Sequence, residues 1–449
     1  DILVVNTCAV TGSAQAQSRQ EIRRAARIAG NGLLIATGCS AQLEPQALAG
    51  IAGVAHVAGN AAKSALPGLL DRLMETPAAR RAGALPERVS WQADPTPARF
   101  LGRAGAVGGR RTRALLKIQD GCDAACSYCI VGRLRGRPLS RDEREVLDEA
   151  RRLVEAGFRE VVLTGVNLGL YGVEWTRGGE RPQAATGTPT ERSDPEGWRL
   201  DAGVHARLLA LLRALARIEG LARLRLSSIE PMALSEALIE ALAGEPRIAP
   251  SLHLPLQSGD DETLRRMGRP YRRADLRRLT ARLTAGRGPF GLGADVIAGF
   301  PGESEEAFGR TLALLEELPL TYLHAFPFSA RPGTPAAGME GQVPPPVRRE
   351  RVRRLRALDE RLRLRFQERL RGRRCALLVE RLSGAGAEGW SGEFVRLRGE
   401  APGAVVGELI EVVAGPSLGP RLQACLVDRL AMRRDEKGRE GREGRDASR

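Results

Sequence analysis

From Leu115 to Phe326 the chain repeats one pattern: a short apolar run, a stretch with helical spacing, then another apolar run. Leu115–Ile118 reads as a strand, Arg144–Ala156 as a helix, Glu160–Thr164 as a strand, His205–Ile218 as a helix and Ala222–Leu226 as a strand. The series continues through the strand Leu252–Leu256, the helix Ala274–Thr284, the strand Gly291–Ile297, the helix Glu305–Leu318 and the strand Tyr322–Phe326. Strands joined this way run parallel, because each helix crosses back over the sheet, and crossovers of one hand curl successive strands in the same sense. About six such units in series predict an α/β fold with a partly closed parallel (βα)6 barrel over residues 111–335, its site at the carboxyl ends of the strands.

The flanking segments read differently. Ile2–Val5 is a β-rich run ending at Asn6-Thr7-Cys8, Ser13–Ile28 has helical spacing, and Leu33–Ala36 ends at Thr37-Gly38-Cys39. With a further helix and the run Val54–Val57, residues 1–76 predict a small parallel α/β sheet. Cys8 and Cys39 both fall just past strand carboxyl ends, where open α/β sheets place ligands. Residues 77–110, rich in Pro, Ala, Gly and Arg, read as a linker, and Glu174–Gly203 as a disordered surface insertion too long for an ordinary βα loop. A basic connecting helix is expected within 336–371, on the spacing of Val352, Leu355, Leu358, Leu362 and Phe366. Short β runs separated by Gly and Pro then predict a small β-barrel over 372–432, and the charged stretch 433–449 reads as a disordered tail.

No run of eighteen apolar residues and no signal pattern is present, so no membrane span is expected and the cytoplasm is the expected compartment. The formal charge of +15 and pI near 10.5 come from arginine, since Lys63, Lys117 and Lys437 are the only lysines. That balance favours a polyanion such as RNA. Arg351, Arg353, Arg354, Arg356, Arg361, Arg363 and Arg365 crowd the connecting helix and read as attraction for a nucleic-acid backbone, against a solvated face as the plainer account. The seven cysteines make a poor disulfide framework. Cys375 and Cys425 sit in apolar strands without a partner motif and read as core residues, while His56, His205, His253 and His324 are scattered and share no ligand spacing.

Cys122, Cys126 and Cys129 lie together on one short loop just after a strand. A structural zinc site wants four protein ligands, and no nearby His or Cys supplies the fourth. Three thiolates leave one iron of a four-iron cluster open. The amino and carboxylate groups of S-adenosylmethionine (SAM) can chelate that iron while the cluster donates an electron into the sulfonium.

The loop from Gln119-Asp120-Gly121-Cys122 to Cys129 carries a resemblance, together with Arg135-Gly136-Arg137, Ser140-Arg141, Ser227-Ser228-Ile229-Glu230-Pro231, the block His253 to Gly259 and Gly299-Phe300-Pro301-Gly302-Glu303. In these blocks, and over nearly its whole length, the chain resembles the radical SAM methylthiotransferases. The resemblance implies two 4Fe–4S clusters and SAM as cofactors, the first cluster on Cys122, Cys126 and Cys129, the second in the amino-terminal domain on Cys8 and Cys39. It also implies an RNA-binding TRAM barrel at the carboxyl end. Tyr128 would contact the adenine of SAM, Gly165 and Asn167 lie where the superfamily binds its amino group, and Ser227, Gln257, Arg269 and Ile297 are further pocket candidates. The family's second cluster takes three cysteines, the first on a strand preceding anything here, so a start missing from this chain is the expectation.

Val5-Asn6-Thr7-Cys8-Ala9-Val10-Thr11, Ser18-Arg19-Gln20 and Thr37-Gly38-Cys39 look most like the branch that adds a methylthio group to C2 of N6-threonylcarbamoyladenosine at tRNA position 37. The partners implied are a tRNA anticodon loop, an electron donor and a sulfur source whose identities the sequence does not supply. Isopentenyladenosine tRNA or a ribosomal-protein aspartate as substrate, or a non-enzymatic metal-containing RNA-binding protein, are the alternatives left open.

Overall fold

The computed structural model of the chain describes residues 2–30, 32–75, 89–97, 111–175, 202–286, 288–384, 386–417 and 422–425. The tail expected at 433–449, most of the insertion expected at Glu174–Gly203 and much of the linker expected at 77–110 lie outside the described residues.

The first sheet contains Ile2–Thr7 (β1), Leu33–Gly38 (β2), Val54–Ala58 (β3) and Val89–Ser90 (β4), parallel and in that order. Gly12–Ala29 (α1), Cys39–Leu43 (α2), Pro45–Ala49 (α3) and Leu66–Glu75 (α4) connect them. β2 and β3 are buried along their whole length, as continuous apolar runs of a parallel sheet should be. Thr11 starts α1 by accepting the Ala14 N–H. β4 lies inside the stretch read as a linker and corrects that reading. Val89 and Ser90 pair with Val57 and Ala58, and the Trp91 indole donates to the Gln42 carbonyl at 2.9 Å. Two residues carry no periodicity for a sequence reading to find.

Arg113–Lys117 (β5) leads to Gln119–Asp120 (β6), the short helix Val131–Arg135 (α5) and Leu139–Ser140 (β7), which pairs antiparallel with β6. The alternation then runs Glu143–Glu155 (α6), Glu160–Thr164 (β8), Ala202–Ala216 (α7), Arg223–Leu226 (β9), Glu236–Gly244 (α8), Ser251–Gln257 (β10), Asp261–Arg266 (α9), Arg273–Thr284 (α10), Gly291–Ala298 (β11), Glu305–Glu317 (α11) and Tyr322–Pro327 (β12). Six parallel strands form two ladders, β5-β8-β9 and β10-β11-β12, joined by bridges at Leu224–Ile248 and Ser228–His253. This is the expected partial barrel. Side chains alternate along each strand. On β10, Leu252, Leu254 and Leu256 enter the core beneath the helices, while Ser251 and His253 line the lumen.

Pro345–Leu370 (α12) ties two cores together. Val352, Leu355, Leu358 and Leu362 join the core of the parallel barrel, and Phe366 and Leu370 that of the next unit. Its arginines correct the reading as a backbone-attracting face, because six of the seven are held within the chain. Arg351 is buried against Glu303, Arg353 pairs with Glu350, Arg354 with Glu305, Arg361 with Glu316 and Arg363 with Asp359. Arg365 donates to the carbonyls of Glu316 and Leu318. Acids three or four residues away on the helix, or on α11 and just before it, supply the ion-pair partners.

Arg374–Ser383 (β13), Gly386–Ser391 (β14), Arg396–Glu400 (β15), Leu409–Ser417 (β16) and Leu422–Cys425 (β17) close into a small barrel in the order β13-β14-β15-β17-β16. Cys375 is buried in its core, and the Cys425 side chain lies outside the described residues. No helix among the described residues is long and apolar enough to cross a membrane.

A buried charge cluster seats this small barrel under the large one. Glu160, fully buried, accepts Nε–H from Arg223 at 2.6 Å and from Arg225 at 2.7 Å. Arg223 donates onward to the carbonyls of Ala376 and Trp390, and Arg225 to those of Ser391 and Gly392. Burial opposes the Glu160 charge, but the two guanidiniums outweigh it and hold its carboxyl below the ordinary range. The stability it supplies is therefore present above the unfolded carboxylate pKa and lost on acidification through the lower folded value. Glu160→Gln leaves two buried guanidiniums short of their anion and should cost about 3–5 kcal/mol. Thermal unfolding at neutral pH checks this, and a melting point unchanged from wild type would contradict it.

Candidate active site

The loop carrying the three cysteines is shaped by its glycine and pinned from two sides. Gly121 has φ +71°, and a Cβ there would overlap the Arg137 carbonyl oxygen. The Cys122 N–H donates to Gly136 at 3.0 Å, and the Cys129 N–H to the Cys126 carbonyl at 3.1 Å. Ser127 donates its N–H to Met267 and its hydroxyl to Arg266, while its carbonyl accepts the Ala336 N–H. The thiols are thus fixed against the end of α9 and the segment after β12.

Each sulfur faces a donor. The Ala124 N–H lies 3.4 Å from Cys122 Sγ, with Asn167 Nδ2 at 3.9 Å. The Val131 N–H lies 3.5 Å from Cys129 Sγ, and Arg269 Nη1 3.3 Å from Cys126 Sγ. Burial pushes the Cys122 thiol up to about 11 and the Cys129 thiol up to about 12. A cation held between the sulfurs would displace those protons, since metal ligation deprotonates thiols outright. Three adjacent sulfurs, each with an N–H donor, suit an iron–sulfur cluster.

Arg269, only 3% exposed, is the anchor. Besides Cys126 it pairs with Glu230, donates Nε–H to the Tyr271 hydroxyl at 2.8 Å and Nη2–H to the Pro255 carbonyl at 3.1 Å. Burial opposes its charge, but Glu230 first among its neighbours raises it well above the ordinary value. Sequence reasoning offered Arg269 as a SAM contact, and the structure places it against a cysteine ligand candidate and the partly buried carboxylate of Glu230.

The remaining pocket candidates fall into two groups. Tyr128 and Ile297 pack into one cluster with Phe300, Phe328 and Met339, an apolar wall beside the loop. Gly165 and Asn167 sit against fully buried Gln119, whose Oε1 accepts the Asn167 N–H at 2.8 Å and whose Nε2 donates to the Asp120 and Gly121 carbonyls. Asn167 Oδ1 is buried and has no hydrogen-bond partner among the described residues, which leaves an acceptor beside Cys122 suited to an N–H donor such as the ammonium of SAM. Gln257 is 8% exposed and takes φ +66°, a left-handed conformation costly for a residue with a Cβ. Ser227 lies in the wall of the lumen cavity.

Cys8 and Cys39 are also brought together. Thr7 pairs with Gly38 across β1 and β2, so the cysteines follow one another at adjacent strand ends. Ser40 Oγ donates to the Cys8 carbonyl at 2.7 Å. Gly38 has φ +101°, and a Cβ there would strike Thr7. Cys39 packs with Ile130 and Leu134, which follow the three-cysteine loop, and Asn60 reaches from Cys39 Sγ at 4.0 Å to the Leu134 carbonyl at 2.6 Å. Arg135 spans the gap, 3.4 Å from Asp120, where burial opposes its charge but Cys39 and Asp120 outweigh that cost and raise its basicity. Sequence reasoning missed Asn60, which follows β3 as Cys8 and Cys39 follow their strands.

The structure gives two of the scattered histidines a hydrogen-bonding role. His253 and His324 converge on Asp295, with His253 Nε2 at 2.8 Å and His324 Nδ1 at 3.3 Å from Oδ1. Burial raises the Asp295 carboxyl, but the two imidazoles overcome it and hold it down to about 2. All three line a cavity of about 710 Å³ inside the barrel. They come from three strands, and only the parallel register Asp295–His324 and His253–Gly293 brings them together. The signal available in the sequence was a lone carboxylate within the apolar run of β11.

Comparison with known proteins places this arrangement. Residues 116–315 match the Radical SAM superfamily, and residues 1–59 match uncharacterized protein family UPF0004. The fold is similar to that of the radical S-adenosylmethionine methyltransferase TsrM from Kitasatospora setae, with a TM-score of 0.52 and 18% identity over 75% of this chain and 65% of that one. These define a radical SAM fold. The chain is 38% identical to the threonylcarbamoyladenosine tRNA methylthiotransferase MtaB of Bacillus subtilis, over 81% of this chain and 72% of that one. It is 35% identical to the tRNA-2-methylthio-N(6)-dimethylallyladenosine synthase of Zymomonas mobilis, over 93% and 87%. The chain belongs to the radical SAM methylthiotransferase family, transferases that use SAM and a 4Fe–4S cluster.

Gly121→Ala and Arg269→Lys test the loop. The first forces the turn, and the second keeps the charge but loses the planar fork that joins Cys126, Glu230 and Pro255. Each variant, reconstituted anaerobically, should lose most of the about four irons that one cluster contributes. Iron and sulfide analysis reads the loss, and unchanged stoichiometry would show that the loop does not need these contacts.

Proposed function

We propose that this chain adds a methylthio group to C2 of N6-threonylcarbamoyladenosine at position 37 in a tRNA anticodon loop. The observation that carries the reading is the placement of a three-thiol loop over a polar barrel lumen, with a second cysteine pair docked against the same loop. Cys122, Cys126 and Cys129 hold the cluster, which when bound supplies the electron that cleaves SAM to a radical able to break an aromatic C–H bond. Asn167 Oδ1 receives the SAM ammonium, Gln119 fixes that asparagine, and Tyr128 with Ile297 forms the apolar wall for the adenine of SAM. Ser227 and Gln257 border the space between SAM and substrate. Arg269 keeps Cys126 in position and screens its charge.

Cys8 and Cys39 hold the second 4Fe–4S cluster, with Arg135 and Asn60 between it and the first. The closed carboxyl-terminal barrel plays the part of the TRAM unit and attracts the tRNA backbone, an interaction sensitive to salt. The dimethylallyladenosine relative supports a second reading, in which the substituent on adenine N6 is isopentenyl. The polar lumen favours the first.

Digested tRNA from an anaerobic reaction of the full-length holoenzyme with dithionite, SAM and substrate tRNA, analysed by nucleoside mass spectrometry, tests the assignment. A methylthio increment on threonylcarbamoyladenosine is the expected result, and an increment only on isopentenyladenosine would overturn it. The two cysteine sets should also separate. Cys8→Ala with Cys39→Ala should abolish sulfur transfer while 5′-deoxyadenosine still forms, whereas Cys122→Ala should abolish both. Full methylthiolation by the double variant would remove the second cluster from the account.

A further inference from the structure

The cavity inside the barrel has no role in holding either cysteine set. At about 710 Å³ it is large enough for a modified base, within the range of small-molecule sites. Strand β10 links the cavity to the cysteine loop, because Arg269 joins Cys126 Sγ to the Pro255 carbonyl on that strand. His253 lies two residues earlier on that strand, roughly 7 Å further from the cysteine loop at the usual rise. The bottom is closed by Phe394, stacked on Trp390 at 4.5 Å and 5.6 Å from Tyr322. The lumen is therefore a well with the cysteine loop above and the small barrel below.

Its lower wall is polar and biased to positive charge. Arg113 is paired with Glu380 at 3.1 Å and Arg225 with Glu160 at 2.7 Å. Arg111 and Arg381 line the same cavity, are exposed, and have no carboxylate partner among the described residues. Asp295 holds His253 and His324 in place, and Tyr322 fixes the other edge of His253 at 3.1 Å. The His324 side chain is about half exposed to the cavity. Gly293 makes this possible, since a Cβ there would overlap the Tyr322 ring.

Adenine geometry decides what this wall meets. C2 and C6 lie meta to each other across N1, so with C2 turned to the cysteine loop the C6–N6 bond is directed to the side and downward, toward the lower wall. We propose that the lower lumen is the receptor for the N6 substituent, with Arg111 and Arg381 taking an anionic carboxylate and His324 hydrogen-bonding the polar group next to it. This rests on the function proposed above and deepens it. An isopentenyl group would strip water from these side chains and return no hydrogen bond. A site built to pair polar groups discriminates strongly against an analogue lacking them. The arrangement thus selects threonylcarbamoyl over isopentenyl adenosine.

The test uses the full-length reconstituted holoenzyme and anticodon stem-loop RNAs with threonylcarbamoyladenosine, its carboxylate methyl ester, or isopentenyladenosine, reading kcat and KM of methylthiolation. Wild type should prefer the free acid over the ester by about tenfold or more in kcat/KM, the scale of a charge-assisted contact. Arg111→Met with Arg381→Met should bring that ratio close to one, mainly through KM, with iron content and melting temperature as folding controls. His324→Phe should lower kcat/KM on acid and ester alike and narrow the margin over the isopentenyl RNA. Equal wild-type rates on acid and ester, or a ratio that survives in a folded arginine double variant, overturn the inference while leaving the function intact. Modification of the isopentenyl RNA alone overturns both.

Discussion

Arg269 is the contact on which the catalytic end depends. One buried guanidinium joins a cysteine sulfur, a partly buried carboxylate, a tyrosine hydroxyl and a strand carbonyl. None of these partners is adjacent in sequence, so the arginine fixes the loop to the β9 and β10 ends of the barrel at once. A lysine would reach one of them at a time. Of the loop's other constraints, a glycine at positive φ and N–H groups aimed at sulfur are local, while Ser127 ties the loop to Arg266 and Met267 far along the chain. Together they set three thiols in a fixed triangle with one face left open.

Buried arginine recurs wherever two units of the chain meet. Arg223 and Arg225 share Glu160 beneath the large barrel, Arg351 meets Glu303 under the connecting helix, and Arg135 lies between Asp120 and Cys39 at the amino-terminal contact. Planar, multiply donating guanidiniums can satisfy several carbonyls and a carboxylate at once, which suits junctions where irregular backbone is brought out of water. Ion pairs within the chain cancel in the formal balance, so the surplus of +15 is carried by arginines beyond those pairs.

The barrel was legible because its strands are apolar on the helix-facing side and each is followed by a helix long enough to show its period. Elements too short for a period were not legible: β4 and β14, the short helix α9, and also α8, whose nine residues are apolar almost all round, while the one helix expected between β2 and β3 is split into α2 and α3. The cysteine loop could be read because its spacing is local. The His253, Asp295 and His324 group could not, since it depends on strand register between β10, β11 and β12, which no local pattern encodes. Gln257 likewise looked like an ordinary strand residue until its positive φ placed it at the end of a bulged ladder.

The central claim is that three sulfurs leave one coordination position open for SAM above the lumen. Electron paramagnetic resonance of the dithionite-reduced protein, with Cys8 and Cys39 replaced by alanine so that only the barrel site contributes, tests it directly. Adding SAM should shift the g values of the reduced cluster, because the cosubstrate enters the iron's coordination sphere. A spectrum that stays the same at saturating SAM would mean that a fourth protein ligand closes the site, and the account of this chain as a SAM-cleaving enzyme would be wrong.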